Sequence, residues 1–444
     1  MEDMSNDVGT LGTVHKVHFV GVGGIGMSAL ARLFLAEGKQ VSGSDRTPSE
    51  ITKALQDEGL TFFSSQVPEN VTGNGKEPLP DLVVYTEAMA QNHPELLAAR
   101  SLDIRTVSYF EALGLIANQY RLIAVAGSHG KTTTTAMLID IFEAAHLDPN
   151  AVVGSLRAET RSNYRKGKGS YFIVEACEYR RDFLSLRPDV LVITNIEFEH
   201  VDYYKTLTDV QHAFCELAMQ VREGGAIIAN LSDPAIEPIM NAVKERNVHI
   251  LDYAKYVDVL MPLVVPGLHN RLNAAAAIAA ADFCRVTVSD AKKALSAFRG
   301  TWRRFEYKGE VHGAKVYDDY GHHPTEIVAT LHGVRELYPD KKLTLVFQPH
   351  TYTRTHTFFN EFVDAITRAD RVIVVPIYAA REENESGVTH VALAEAAGKQ
   401  HAQTESYDSF DAVVATLRSQ LTPEDVVLVM GAGDVTEVAS MLVS

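Results

Sequence analysis

The stretch Ala126-Gly127-Ser128-His129-Gly130-Lys131-Thr132-Thr133-Thr134-Thr135 decides how this chain is read. The apolar run Leu122-Ile123-Ala124-Val125 precedes it and Ala136-Met137-Leu138-Ile139 follows. The order is therefore strand, tight glycine-rich turn, Gly-Lys-Thr, helix. This is the layout of a phosphate cradle, in which backbone N–H groups and the positive end of a helix face the anion. Lys131 would reach the β- and γ-phosphates, and the Thr132 hydroxyl would sit on Mg2+. The expectation is a protein that spends ATP, with Gly127, Ser128, His129, Gly130, Lys131, Thr132 and Thr133 around the phosphates. The loop is shorter than the standard one, which has a further glycine where this chain has Val125. A plain helix start capped by Thr132 is the alternative. Two glycines, a lysine and four consecutive threonines are a poor choice for that purpose alone.

Outward from this turn, bulk properties exclude several classes. The chain has 444 residues, enough for two to four domains, and a net charge of −16 with no long basic run. That argues against nucleic acid or an anionic membrane as partner. Cys177, Cys215 and Cys284 are odd in number and lack metal spacing, which fits a reducing cytosol. The start, Met1 to Thr13, has no apolar signal core, and no window is apolar enough to span a bilayer. A cytoplasmic monomer or weak homodimer is expected.

Three α/β pieces follow: 1–119, 120–305 and 306–444. In the first, Val17-His18-Phe19-Val20 feeds Gly21-Val22-Gly23-Gly24-Ile25-Gly26 and a helix to Glu37. Strands also fall at Val41 to Ser44-Asp45 and at Leu82 to Tyr85, so a parallel, doubly wound, Rossmann-like sheet is expected. The turn is a dinucleotide-type fingerprint with Asp45 about twenty residues on, and any diphosphate would suit it. Asp45 reads equally as a ribose contact and as a turn residue.

In the second piece, strands Tyr171 to Glu175 and Asp189 to Thr194 end in carboxylates and in Asn195-Ile196-Glu197-Phe198-Glu199-His200. Strand ends beside a phosphate loop are where Mg2+ ligands sit, so Glu175 and His200 are read as metal or phosphate partners. Glu197 and Glu199 stay open. Asn270 and Asn273 open an alanine-rich helix and would read adenine or, for Asn270, simply cap the helix. In the third piece, strand Val316-Tyr317 leads into Asp318-Asp319-Tyr320-Gly321-His322-His323-Pro324-Thr325-Glu326, and Leu343 to Phe347 leads into Gln348-Pro349-His350-Thr351-Tyr352-Thr353-Arg354. Adjacent histidines do not share a tetrahedral ion easily, so substrate or phosphate contact ranks above zinc, with a helix cap behind.

Together, in this order, Gly21–Ser28, Gly127–Thr135, Glu175-Ala176-Cys177-Glu178, Asn195–His200, His269–Asn273, Arg303-Arg304-Phe305, Asp318–Glu326 and Gln348–Thr355 resemble the Mur ligase family of peptidoglycan synthesis. The likeness runs over nearly the whole chain. It points to the branch that adds the first amino acid rather than to the folylpolyglutamate synthetases, which share the ATP domain.

The resemblance implies a fold: an N-terminal Rossmann-like domain for the UDP-sugar, a central P-loop ATPase-type domain, and a C-terminal Rossmann-like domain for the amino acid. It implies an ATP- and Mg2+-dependent ligase that joins L-alanine to the carboxylate of UDP-N-acetylmuramate through an acyl phosphate. Cell-wall synthesis, and with it cell shape and division, would depend on it. Gly23, Gly24, Ile25 and Gly26, with Ser44 and Asp45, would hold the UDP diphosphate. Thr132, Glu175 and His200 would serve Mg2+, with Lys131 and Arg354 completing the catalytic set. Asn270, Asn273, Arg303, Arg304 and Asp318 would lie at the nucleotide, and Tyr320, His322, His350 and Arg354 at the amino acid. Rival readings are a ligase that attaches a whole tripeptide in cell-wall recycling, a non-catalytic UDP-muramate or ATP sensor, and a nicotinamide oxidoreductase. Three departures from the family pattern stand out: Thr351 where many members carry Arg, a short segment between Asp252 and Pro266, and Cys177 where other branches have Asp. The second is expected to alter stability or assembly rather than activity.

Overall fold

The computed structural model describes residues 11–73, 78–86, 89–258, 263–400 and 403–444. Short apolar runs rich in Val, Ile and Leu, most of them followed by a helix, form the centres of three separate sheets. The first holds β1 (Lys16–Val20), β2 (Gln40–Ser44), β3 (Thr61–Phe63), β4 (Leu82–Tyr85) and β5 (Arg105–Ser108), all parallel, in the order β3-β2-β1-β4-β5. The sequence reading lacked β3 and β5. Both are edge strands with half-exposed or polar residues, so neither presents the continuous apolar run of a central strand.

The second sheet holds β6 (Arg121–Ala126), β7 (Asn150–Val152), β8 (Tyr164–Arg165), β9 (Tyr171–Glu175), β10 (Val190–Ile193), β11 (Ala226–Ala229) and β12 (His249–Asp252). Its order is β12-β11-β10-β6-β9-β7-β8, with β8 antiparallel to β7. The third holds β13 (Glu306–Val311), β14 (Ala314–Asp319), β15 (Lys342–Phe347), β16 (Arg371–Val374), β17 (Thr404–Ser406) and β18 (Asp425–Met430), in the order β13-β14-β18-β15-β16-β17. Only the β13–β14 pair is antiparallel in that sheet.

In the first two sheets the chain reverses direction of travel across the sheet beside β1 and β6, which opens a crevice at the carboxyl ends of those strands. The glycine-rich turns sit in these crevices. The helix Leu268–Phe283 buries every residue from Ala274 to Ala281. It lies against the helix Lys131–Ala144 in one core, and the small side chains allow close approach. That contact fixes the helix whose first turn carries Lys131 and Thr132. The short segment after Asp252 begins with a 3-10 turn, Tyr253–Tyr256, and residues 259–262 lie outside the described set.

Candidate active site

The phosphate loop is built from backbone that only glycine accepts readily. Gly127 has φ +132° and Gly130 has φ +82°. A Cβ on Gly127 would strike the Thr194 hydroxyl, and one on Gly130 would strike the Asn273 amide oxygen. Gly130 is itself the N-cap and no side chain caps the helix, so Thr132 is not a cap. Its hydroxyl donates instead to Glu175 Oε1 at 2.9 Å. Lys131 Nζ donates to Ser128 O at 3.0 Å and to Glu178 Oε1 at 3.0 Å. The four threonines are buried, and Thr135 bonds back to Lys131 O at 2.8 Å, which satisfies its hydroxyl inside the helix.

The carboxyl ends of β9 and β10 supply the acids. Glu175 Oε2 accepts from the Gly154 N–H at 2.8 Å. Glu178, which sequence reasoning quoted but did not assign, is the hub: Oε1 meets both Lys131 Nζ and His200 Nε2, the latter at 2.9 Å. Burial opposes its charge, but Lys131 and His200 outweigh burial and hold its carboxyl down at about 2. His200 lies in the loop well past the end of β10, with φ +51°, and so reaches the site by a bend rather than from a strand end. Ligand atoms of Glu178, Glu199 and His200 gather within 4.8 Å of one another, as do those of His129, Glu199 and His323. The Cys177 thiol is pushed up to about 12, first by burial and then by Glu178, so it stays protonated and unreactive.

A cavity of about 310 Å³ opens beside Gly130 and Thr133, between Asn270, Asn273, Tyr253 and Arg304. Asn270 spends its amide N–H on Pro266 O at 2.7 Å. Two expectations shift by one residue here. Asp318 is fully buried, 3.3 Å from Arg303 and hydrogen-bonded to Thr436, and it is Asp319 that lines the cavity. Successive strand residues face opposite sides, so only one of the pair can point at this cavity. Arg303 likewise is buried, donating to Gly431 O and to Gly433 O at 2.9 Å, and Arg304 is the guanidinium at the cavity.

A larger cavity, about 650 Å³, joins the loop to the third domain. Lys131, Thr132, Glu175 and His200 line one side, and Tyr320, His322, His350 and Arg354 the other. Arg354 Nη1 donates to His350 Nδ1 at 3.1 Å, which makes His350 the acceptor. Burial first, then Arg354, lowers His350 to about 4 and drives His322 well below its ordinary value, so both are neutral near pH 7. The two adjacent histidines part company: His322 lines the cavity, while His323 caps the helix Pro324–Leu337. His129 bridges the domains, 3.5 Å from Glu197 and 3.3 Å from Glu326. Burial opposes its proton, but Glu326, Glu197 and Glu199 raise it to about 10, adding a cation to the phosphate loop.

A third cavity, about 650 Å³, lies over the ends of β1, β2 and β4, lined by Gly21, Gly24, Asp45, Arg46 and His93. Asp45 accepts from the Gly23 N–H at 2.9 Å and so braces the turn. Ser44 is fully buried and donates to Glu95 Oε2 at 2.7 Å. Gly26 packs against the Tyr109 ring, and the Ile25 carbonyl accepts from Asn163 of the second domain at 2.6 Å.

Three family profiles cover the chain in sequence. Residues 16–121 match the Mur ligase family catalytic domain, 125–262 the Mur ligase middle domain, and 303–433 the Mur ligase glutamate ligase domain. The chain belongs to the Mur ligase family. Curated relatives named UDP-N-acetylmuramate–L-alanine ligase share 38% identity over 96% of both chains in Clostridium novyi, and 36% over 100% of this chain and 99% of the relative in Clostridium acetobutylicum. The crystal structure of the UDP-N-acetylmuramate-alanine ligase of Thermotoga maritima superimposes with a TM-score of 0.76 at 26% identity, covering 96% of this chain and 98% of that one. A murein peptide ligase from Psychrobacter arcticus has the same fold, with a TM-score of 0.66 at 23% identity over 96% and 98%. In this family member Lys131, Thr132 and Glu175 of the second α/β piece and Tyr320, His322, His350 and Arg354 of the third line one cavity.

Proposed function

We propose that this Mur ligase joins L-alanine to the carboxylate of UDP-N-acetylmuramate, with ATP driving the step, in the synthesis of peptidoglycan precursors in the cytoplasm. Residues 1–119 would hold the UDP-sugar, 120–305 the ATP and 306–444 the amino acid. The observation that carries the reading is the shared cavity, in which Lys131 of the phosphate loop and Arg354 of the donor side line the same space. The full-length likeness to alanine ligases supports the donor. No helix among the described residues is long and apolar enough to cross a membrane.

The muramate carboxylate is a poor electrophile. Its oxygen takes the γ-phosphoryl group from ATP, ADP leaves, and an acyl phosphate results. The alanine amine then attacks the acyl carbon, and the tetrahedral intermediate expels phosphate while the nitrogen gives up a proton. Lys131 and the His129 imidazolium offset the approach of carboxylate to γ-phosphate. Arg354 would draw in the donor carboxylate while neutral His322 and His350 bond to it without adding charge. Holding three substrates on three domains is most of the catalysis.

The acids fit a divalent cation. Thr132 and Glu175 offer oxygen donors to a hard ion, and the buried Glu199 Oε1 has no hydrogen-bond partner. Thr132 and Glu175 would hold one Mg2+, and His200 with Glu199 a second. Bound there, Mg2+ supplies charge neutralisation at the transferring phosphoryl group. Phosphate release is the test, with ATP, Mg2+ and UDP-N-acetylmuramate and with L-alanine, L-serine, glycine or the tripeptide added in turn. Release requiring the sugar nucleotide and L-alanine is expected. Release with the tripeptide alone would make this a recycling ligase, and no release with any donor would overturn catalysis.

A further inference from the structure

Four lysine or arginine side chains line the cavity between the second and third domains: Lys131, Arg304, Arg354 and Arg381. Lys131 is 2.9 Å from Glu178, and Arg304 is 3.6 Å from Glu326. Among the described residues Arg354 has no acidic partner, and its side-chain bond goes to neutral His350. Arg381 makes no hydrogen bond or ion pair among the described residues. Two guanidinium groups therefore border one cavity without an ion pair among the described residues, although carboxylates such as Glu382 line it too. Arg354 is buried, and a buried cation held this way selects an anion, while Arg381 is exposed where it borders the same cavity.

The backbone that presents Arg381 is tied to the turn that presents Arg354. Thr351 N–H donates to Tyr378 O, and Tyr378 N–H to Pro349 O, each at 2.9 Å. The Glu382 carboxylate accepts from the Thr353 N–H at 2.8 Å, at the start of the helix Tyr352–Thr357. The Tyr378 and His350 rings stack at 5.7 Å. Both segments are strained where they meet: Thr351 has φ +63° and Ala380, just before Arg381, has φ +52°. Non-glycine residues hold such angles when the surroundings impose them, and such places cluster at ligand sites. Lys131, His129 and Arg304 stand at the phosphate loop, and the backbone ties between the two segments put Arg381 on the side of Arg354, which favours the donor carboxylate as their shared anion.

We propose that Arg381 is a specificity-determining residue that binds the α-carboxylate of the incoming amino acid together with Arg354. This rests on the ligase reading above. In this chain the second cation comes from the loop after β16 rather than from position 351, where Thr351 carries none.

The test is steady-state kinetics of Arg381→Ala and Arg381→Lys with each substrate varied. The KM for L-alanine is expected to rise about tenfold or more in Arg381→Ala, while the KM values for ATP and UDP-N-acetylmuramate stay within about twofold. Arg381→Lys should recover part of the loss. The preference for L-alanine over L-alaninamide, which lacks the carboxylate, should shrink by a similar factor. Placing a cation at the neighbouring position, in Thr351→Arg with Arg381→Ala, should restore some of it. Arg381 also touches the cavity over the N-terminal glycine turn, so a rise in the KM for UDP-N-acetylmuramate alone would assign it to the diphosphate and overturn the proposal. Unchanged constants would overturn it too. Saturation-transfer NMR of L-alanine with UDP-N-acetylmuramate and a non-hydrolysable ATP analogue reads the same contact without turnover. An inactive wild type that still binds L-alanine through Arg381 would sink the ligase reading and leave this one standing. Binding that Arg381→Ala does not weaken would sink this one alone.

Discussion

Two glycine-rich turns begin two helices in this protein, and they do different work. The turn at Gly21–Gly26 follows β1, and its Gly23 N–H is held by the Asp45 carboxylate. The helix after it, Ile25–Ala36, has no acid in its first turn and no lysine or arginine there. The turn at Gly127–Gly130 follows β6, and its helix opens with Lys131 and Thr132, each bonded to a carboxylate at or just past the end of the neighbouring strand β9. Both turns offer backbone N–H groups to a phosphate. Only the second surrounds that phosphate with a cation, a hydroxyl and acids able to hold a metal. On the function proposed above, the first would hold a diphosphate and the second would transfer a phosphoryl group.

The comparison breaks most sharply at Lys131. Lys131→Met should lower kcat by about 10³-fold, while calorimetric binding of UDP-N-acetylmuramate at the first turn stays within about twofold. Turnover surviving within tenfold would mean that the second turn only holds its ligand, as the first does. Next comes Glu178→Gln, which keeps the shape and removes the charge shared by Lys131 and His200. A loss of about 10- to 100-fold in kcat is expected, with a higher Mg2+ requirement and an unaltered KM for the sugar nucleotide. Retained kcat at ordinary Mg2+ would show the ion pair to be structural.

Those two residues also mark what the chain's letters disclose. That Lys131, Thr132 and Glu175 would come together was legible because their spacing from a strand end dictates where they point. Glu178 was not, since its role depends on the bend that returns His200 to the same spot, a tertiary fact. Asp318 and Arg303 look equivalent to Asp319 and Arg304 as letters. Strand alternation and the buried Arg303–Asp318 pair decide which of each lines the cavity beside Gly130. The three-sheet architecture was legible from its central strands. The edge strands β3 and β5 were not, because half-exposed strands lose the apolar run that announces a buried one.

A smaller effect separates the second turn's surroundings by pH. His269, beside the nucleotide cavity, is lowered to about 4, by burial first. Unfolded, it would titrate near 6.5. Between those values the unfolded chain binds the extra proton, so stability rises with pH across that window and is lost as pH falls from about 6.5 to about 4. His269→Gln should remove about 2–3 kcal/mol of this dependence. Urea midpoints of wild type and variant at pH 4.5 and 7 would read it. A constant difference between the two proteins across both pH values would mean that His269 is not buried neutral.

The smallest expected change lies back at the first turn. Gly24 has ordinary backbone angles as the N-cap of its helix, and a Cβ there would meet nothing nearer than 3.7 Å. Gly130, its counterpart as N-cap in the second turn, has φ +82° and the Asn273 amide against it. Gly24→Ala should therefore fold with a change below about 1 kcal/mol, since neither strain nor contact opposes the methyl group. Gly24 does line the cavity over β1, so the variant reads ligand approach separately from folding. A rise in the KM for UDP-N-acetylmuramate with an unchanged melting temperature would mean that the diphosphate comes within contact of that backbone. No change in either would move the diphosphate away from Gly24, toward Arg46 and the start of the helix Pro94–Ser101, which border the same cavity. The first turn would then be a brace for the sheet rather than a cradle, and the difference between the two turns would be one of kind rather than of equipment.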